Sequence, residues 1–325
     1  MSAAPAPRTA VVLAAGGLIG QAFHLGVLTA LAEGTDFDAR RATTLVGTSA
    51  GSLVAAGLAG GLSAADLRAE LLGAPLSAEG SRVRSTRPST ARLPHPPPPE
   101  RRRGPLAPQV LLSAARRPWA VRPGALASSL LPAGRAQTEL IARSLARLHG
   151  GAWPERDLRI CAVRASDGRR VVFGTEHAPT VDVGTAVAAS CAIPSYFSPV
   201  HIAGHAYVDG GAHSPSNADV VAADRPELVV VISPMTMGQG TVRRPRADTP
   251  IRMAVRRYLA REVRLLRRRG AHVVVLQPGP HDLPVMGLNP MQHSRVEDVI
   301  GVAARSTRAR LEAQPGLVEL LSRSS

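Results

Sequence analysis

Twice within the first 60 residues a short β-run is followed by a glycine-bearing turn and an apolar helix, and this pattern constrains the fold most. Thr9 to Ala14 is a β-run ending in Ala-Ala-Gly-Gly, and Gln21 to Glu33 then carries Phe23, Val27, Leu28 and Leu31 at helical spacing before the stop signal Gly34. Thr43 to Val46 reads as a second strand, and Ser49 to Gly60 as a small-residue helix that packs on the sheet. A helix that returns the chain after each strand makes the next strand parallel to the last, so the expectation is an α/β fold: a central, mostly parallel sheet flanked by helices. Further along, Leu158 to Val163 and Arg170 to Phe173 flank Ser-Asp-Gly as a β-hairpin. Leu228 to Ile232 and His272 to Leu276 are buried-strand candidates, and Ile251 to Arg269 is a long helix with Ile251, Val255, Leu259 and Leu266 on one stripe.

The apolar stretch 9 to 32 has the bulk of a leader or membrane span but not the design. Only Arg8 precedes it, Gly16, Gly17 and Gly20 break its middle, and Gln21 and His24 interrupt its second half. The expectation is therefore a cytoplasmic protein with no signal peptide or transmembrane segment, peripheral at most to a membrane. With 45% hydrophobic residues the chain can bury a core, so wholesale disorder is excluded. Cys161 and Cys191 are too few for a disulfide framework and read as small buried hydrophobes.

The formal net charge is +15, and every one of the 39 basic residues is arginine. A balance of that size raises nucleic acid or an anionic membrane as a partner. Total replacement of lysine by arginine also fits GC-rich coding, and aromatic residues for base stacking make up only 3% of the chain, so nucleic acid is not expected. The charge concentrates in two places. Residues 81 to 105 hold seven prolines and seven arginines, an inserted loop that cannot bury enough apolar surface to order itself. The helix 251 to 269 holds eight arginines, and peripheral contact with anionic lipid through these two segments is the partner expectation.

Gly47-Thr48-Ser49-Ala50-Gly51 fits G-x-S-x-G and lies between a strand and a helix. A nucleophile elbow needs small flanking residues because its serine sits on a sharp, strained turn, with the following helix aiming its amides at the reaction centre. The serine needs a base. Only one strand-helix unit precedes Ser49, which fits an ordinary α/β-hydrolase layout poorly, and none of the ten histidines stands out as partner. The stronger candidate is Asp209 in Tyr207-Val208-Asp209-Gly210-Gly211, a carboxylate at a strand end before a tight turn. Ala15-Gly16-Gly17-Leu18-Ile19-Gly20 supplies backbone amides for an oxyanion. The same loop nearly matches the dinucleotide pattern G-x-G-x-x-G, with Asp36 or Asp38 as ribose acid, but Ala15 stands in the first glycine position and the Ser49 elbow has no place in that reading.

Taken together, these blocks resemble the patatin-like phospholipase family: a glycine-rich loop on the first strand, an early G-x-S-x-G elbow and a distant Asp-Gly-Gly. His24-Leu25-Gly26-Val27-Leu28 is similar to the helix after the family's loop. The run Ala189 to Val200 is similar to the block before its aspartate, and Ser214 to Asp219 to the block after it. The resemblance implies a three-layer fold in one catalytic domain over 9–300, with 75–135 as an inserted Pro/Arg-rich loop and helical cap, and 301–325 as a C-terminal helical tail. It implies a lipid acyl hydrolase with a Ser-Asp dyad, Ser49 as nucleophile and Asp209 as base; the alternative is a catalytically weak lipid-binding or regulatory protein of the same fold. Amides of Gly16, Gly17, Leu18 and Ala50 would form the oxyanion hole, with Gly20, Gly47, Gly51, Gly210 and Gly211 supporting the motifs. No metal or organic cofactor is implied; a lipid or phospholipid is the substrate. The chain departs from the family's loop at Ala15, where a third glycine is usual, and at Ile19, where an arginine or lysine is usual.

Overall fold

The computed structural model describes residues 8–85, 138–238 and 246–323. In chain order the elements are β1 (Thr9–Leu13), α1 (Gly17–Gly34), β2 (Thr44–Thr48), α2 (Ala50–Ala59), α3 (Ala64–Leu72), α4 (Ala78–Ser85) and α5 (Glu139–His149). Then follow β3 (Asp157–Arg164), β4 (Arg170–Phe173), α6 (Val183–Ser190), β5 (Val200–Ile202), β6 (His205–Asp209) and β7 (Leu228–Ile232). The chain continues through α7 (Thr249–Arg268), β8 (His272–Leu276), α8 (Asp282–Met286), α9 (Val296–Ala313) and α10 (Pro315–Ser322).

The β-runs of the sequence pair as one eight-stranded sheet in the order β5-β6-β3-β2-β1-β7-β8, with β4 also on β3. From β3 to β8 the pairings are parallel; β4, β5 and β6 add antiparallel pairings at the β3 end. Side chains alternate across a strand, and the two faces are covered separately. Val11, Leu13, Leu45 and Val230 pack with helices α1, α2, α6 and α9, whereas Ala10, Val12, Val46 and Val229 pack with α7. The result is the three-layer α/β arrangement. Helix α9 runs across residue 300 and sends Val299, Ile300 and Ala303 into the first of these layers.

Register along β3 brings distant segments together. On one edge β4 pairs with Ile160 to Val163. On the other edge β2 covers Asp157 to Cys161, and β6 takes over from Ala162 to Arg164. Thr48 therefore lies opposite Cys161 and Asp209 opposite the very next residue, Ala162, so the C-terminal ends of β2 and β6 meet head to head.

Two sequence expectations shift. Helix α1 starts at Gly17 rather than Gln21, so the glycine loop forms the helix's own first turn. On α7 the residues Val255, Leu259 and Leu266 are buried as their spacing predicts, but Ile251 is 60% exposed. Ile251 is the third residue of the helix, in its first turn, and the buried stripe starts one turn later at Val255. The inserted loop lies mostly outside the described residues; of residues 81 to 105, only 81–85 are described, as the last turns of α4.

Candidate active site

Strand β2 ends at Thr48 and α2 begins at Ala50, leaving one residue, Ser49, to make the turn. Its φ of 53° and ψ of −122° lie in a region that costs a non-glycine residue about 1–3 kcal/mol. The turn is clamped. The Ser49 carbonyl accepts from the Ser52 amide at 2.8 Å and the Ser52 hydroxyl at 2.6 Å. The Ser49 amide donates to Ser190 Oγ at 2.8 Å, and that hydroxyl donates to the Cys161 carbonyl at 2.6 Å. Neither flanking glycine has room for a side chain: a Cβ on Gly47 would lie 2.4 Å from Ser52 Cα, and one on Gly51 1.9 Å from the Leu13 oxygen.

The Ser49 hydroxyl faces the carboxylate of Asp209, close enough to pull its pKa down. Asp209 is buried, and its Oδ1 accepts the Gly211 amide at 2.7 Å. Burial pushes its pKa from 3.8 up to about 6, against the opposing pull of the hydrogen bonds from Ser49 and Gly211. Gly210 sits where a Cβ would meet the Cys161 oxygen at 2.2 Å, which lets the turn after Asp209 fold against β3. The histidine closest in sequence to the glycine loop, His24, is buried with its Nε2 hydrogen-bonded to the Ala14 carbonyl at 2.7 Å. Burial lowers its pKa to about 4, so it is neutral at pH 7 and braces the end of β1.

Two helix N-termini converge beside Ser49. Gly17, Leu18, Ser49 and Ala50 line one cavity of about 430 Å³. In the first turn of α1, the Ile19 amide donates to the Pro290 carbonyl and the Gly20 amide to the Gly16 carbonyl. Among the described residues, the amides of Gly17, Leu18 and Ala50 meet no acceptor. Such first-turn donors are suited to negative charge. The Gly16 amide likewise meets no acceptor, and Gly20 and Pro234 pack against its Cα. Ile19, at the position of the family's usual cation, is buried in the core. Beyond the polar end the cavity walls are apolar, with Leu53, Leu67, Leu71, Ile141, Leu145 and Phe197. The one cation on the wall among the described residues, Arg84, is held bidentately by Glu70 at 2.5 and 2.6 Å, so the wall offers no free positive charge.

A second layer ties the three motifs into one unit, and the sequence reading missed its key member. Glu262, on the arginine-rich α7, is buried and accepts from Ser214 Oγ at 2.6 Å, Ser216 Oγ at 2.5 Å and the Ala218 amide at 3.0 Å. The loop so held reaches each motif. The Pro215 carbonyl accepts from Ala15 in the glycine loop, and Asn217 Nδ2 donates to Thr48 Oγ1 beside the elbow and to the Gly210 carbonyl after Asp209. The sequence signal was the run Ser214 to Asp219 itself; an acid among eight arginines reads as a solvated charge.

Of the two ribose-acid candidates, Asp38 caps the turn Ala39–Arg41 and pairs with Arg40 at 2.8 Å, while Asp36 is exposed. Among the described residues no group of three or more His, Cys, Asp or Glu is arranged to hold a metal ion, and no helix is long and apolar enough to cross a membrane.

A family model described as patatin-like phospholipase matches residues 11–222. No curated protein matches. Among solved structures, VipD from Legionella pneumophila is similar at 15% identity and a TM-score of 0.41, covering 95% of this chain and 67% of that one. The type III effector protein ExoU is similar at 19% identity and a TM-score of 0.37, covering 95% of this chain and 54% of that one. The chain thus spans about half the length of the second.

Proposed function

From the premise that the chain belongs to the patatin-like phospholipase family, we propose that it is a serine acyl hydrolase cleaving ester bonds of lipids through a Ser49–Asp209 dyad. The observation that carries this reading is the Ser49 hydroxyl facing the buried Asp209 carboxylate, at the polar end of an apolar cavity where two helix N-termini converge.

In this mechanism Ser49 Oγ attacks the ester carbonyl carbon as Asp209 takes the hydroxyl proton. The carbonyl oxygen becomes an oxyanion held by the amides of Gly16, Gly17, Leu18 and Ala50. Collapse of the tetrahedral intermediate breaks the ester bond; the leaving alkoxide takes the proton from Asp209, and the acyl group remains on Ser49. Water then gives a proton to Asp209 and attacks the acyl carbon. The second intermediate collapses to free acid, and Ser49 recovers its proton. The acyl chain lies along Leu53, Leu67, Leu71 and Leu145. Because Arg84 is neutralised by Glu70, the groove favours the uncharged acyl part of the substrate over its head group.

The raised pKa of Asp209 sets the pH dependence. The base works only when ionised, so kcat/KM on a short p-nitrophenyl ester rises about tenfold per pH unit on the acid side. It is half-maximal near pH 6, the value to which burial lifts the carboxyl, and level above. A pH–rate profile checks this, and a flat profile from pH 4.5 to 7.5 would remove Asp209 as the base. Comparing lipid hydrolysis by wild type with Ser49→Ala across a lipid extract then identifies the substrate, as species lost only with the wild type.

A further inference from the structure

Helix α6 runs from Val183 to Ser190, and its end touches both halves of the dyad. The helix is fixed at its start by Asp182, whose carboxylate accepts the Thr185 amide at 2.9 Å and the Thr185 hydroxyl at 2.6 Å. Its flank lies hard against α5, since a Cβ on Gly184 would meet the Ala142 oxygen at 2.1 Å. Every residue from Ala186 to Ala192 is buried. At the far end the Ser190 hydroxyl accepts from the Ser49 amide at 2.8 Å and donates to the Cys161 carbonyl at 2.6 Å. Next in the chain, Cys191 places its Sγ 3.7 Å from the Ser52 hydroxyl, which holds the Ser49 carbonyl. One residue further, the Ala192 carbonyl accepts from the Asp209 amide at 3.0 Å. Three consecutive residues thus hold the main chain of the nucleophile on one side and that of the base on the other.

From this bridge we infer that Ser190 is a positioning residue, whose hydroxyl sets where Ser49 stands relative to Asp209; the inference rests on the dyad proposed above. The path of β2 shows why a hydroxyl is required. Thr48 is paired with Cys161 in the parallel ladder, and the chain leaves that ladder at Ser49, where φ is 53°. The elbow amide and the Cys161 carbonyl are joined through Ser190 Oγ, an atom that accepts from one and donates to the other. An alanine at 190 takes this acceptor from the buried Ser49 amide, and a buried amide without a partner is costly. The elbow recovers a bond only by sliding toward β3. That slide carries Ser49 Oγ and the Ala50 amide with it, while Ala192 still holds Asp209 in place.

The test is Ser190→Ala in the full-length protein, assayed on p-nitrophenyl acetate, with active enzyme counted as the amount that a fluorophosphonate labels. Its kcat falls about a hundredfold, the scale of a reacting group displaced by about 1 Å. KM stays close to wild type, because Ser190 is not among the residues lining the cavity. Ser190→Thr keeps the hydroxyl and recovers most of the lost kcat. A second readout is the acid limb of kcat/KM. The Ser49 hydroxyl pulls the Asp209 pKa down against burial, so a displaced hydroxyl moves the limb above its wild-type place near pH 6, and Ser190→Thr returns it. A Ser190 that served the fold alone would lower the yield of labelled enzyme and leave kcat per labelled site and the limb unmoved, which would overturn the inference. Ser190→Cys keeps the volume with weaker hydrogen bonds, and carries the same readouts should the alanine protein not fold. Wild-type kcat with an unmoved limb in Ser190→Cys would equally overturn it, as would a rise in KM alone in either variant. Wild type inert toward the ester, or Ser49→Ala as active as wild type, would instead reject the dyad on which the inference stands.

Discussion

Ser49→Ala and Asp209→Asn each lower kcat/KM on a short p-nitrophenyl ester by at least about a thousandfold, the scale seen when one member of a nucleophile–base pair is lost. Alanine has no nucleophile. Asparagine keeps the shape and can still accept the Gly211 amide and meet the Ser49 hydroxyl, but its amide takes no proton. The two variants separate chemistry from folding because Asp209→Asn is also expected to be the more stable protein near neutrality. Asp209 titrates near 6 folded against 3.8 unfolded. Between those values the folded state holds the proton that the unfolded state has released, so wild-type stability falls as pH rises from 4 to 6. The loss is on the order of 3 kcal/mol and stays lost above pH 6. Asparagine carries no such charge, so its stability advantage appears at pH 8 and closes near pH 4. Denaturant melts of both proteins at the two pH values read it. An Asp209→Asn protein that keeps wild-type turnover would contradict the dyad, and one destabilised equally at both pH values would mean that Asp209 serves the fold alone.

The second large effect is at Glu262. Glu262→Ala removes the acceptor shared by Ser214, Ser216 and the Ala218 amide, all buried, and costs on the order of 4 kcal/mol in unfolding free energy. That is a large share of the roughly 5–15 kcal/mol that holds a domain folded. The loop it anchors bonds Ala15, Thr48 and Gly210, so kcat falls as well, through the relative placement of glycine loop, elbow and Asp209. Glu262→Gln retains one acceptor oxygen for Ser216 and Ala218 and can donate to Ser214, so it stays within about 1–1.5 kcal/mol of wild type. A denaturation curve and a kcat for each variant check this. Equal stability of Glu262→Ala and wild type would show that the loop holds without its anchor.

How much of this was legible in the sequence depends on the range of the interaction involved. The elbow and the Asp209 turn were readable because small residues mark each turn in the sequence: Gly47 is crowded by Ser52 of its own turn, although what crowds Gly51 is Leu13 on the neighbouring strand. The parallel strands were readable because buried strands are continuous apolar runs. What joins Ser49 to Asp209 is the handover from β2 to β6 along one edge of β3, a register that no local pattern specifies. Helix α1 was read too short because glycines at 17 and 20 lower helix propensity, whereas here Gly17 lets Pro290 approach the first turn and Gly20 lies against Pro234. Ile251 was placed on a buried stripe because helical spacing reports a face and not how far along the helix that face is covered. Glu262 looked like a surface charge because its partners lie more than 40 residues away.

The dyad is tested most directly by labelling with a fluorophosphonate, read by intact mass and peptide mapping of wild type, Ser49→Ala and Asp209→Asn. The account predicts one adduct, on Ser49, in the wild type, none in Ser49→Ala, and at least about a hundredfold slower labelling in Asp209→Asn, where the strained elbow and its amides remain but the proton acceptor is gone. An adduct on any other residue, or labelling of Asp209→Asn at the wild-type rate, would contradict it.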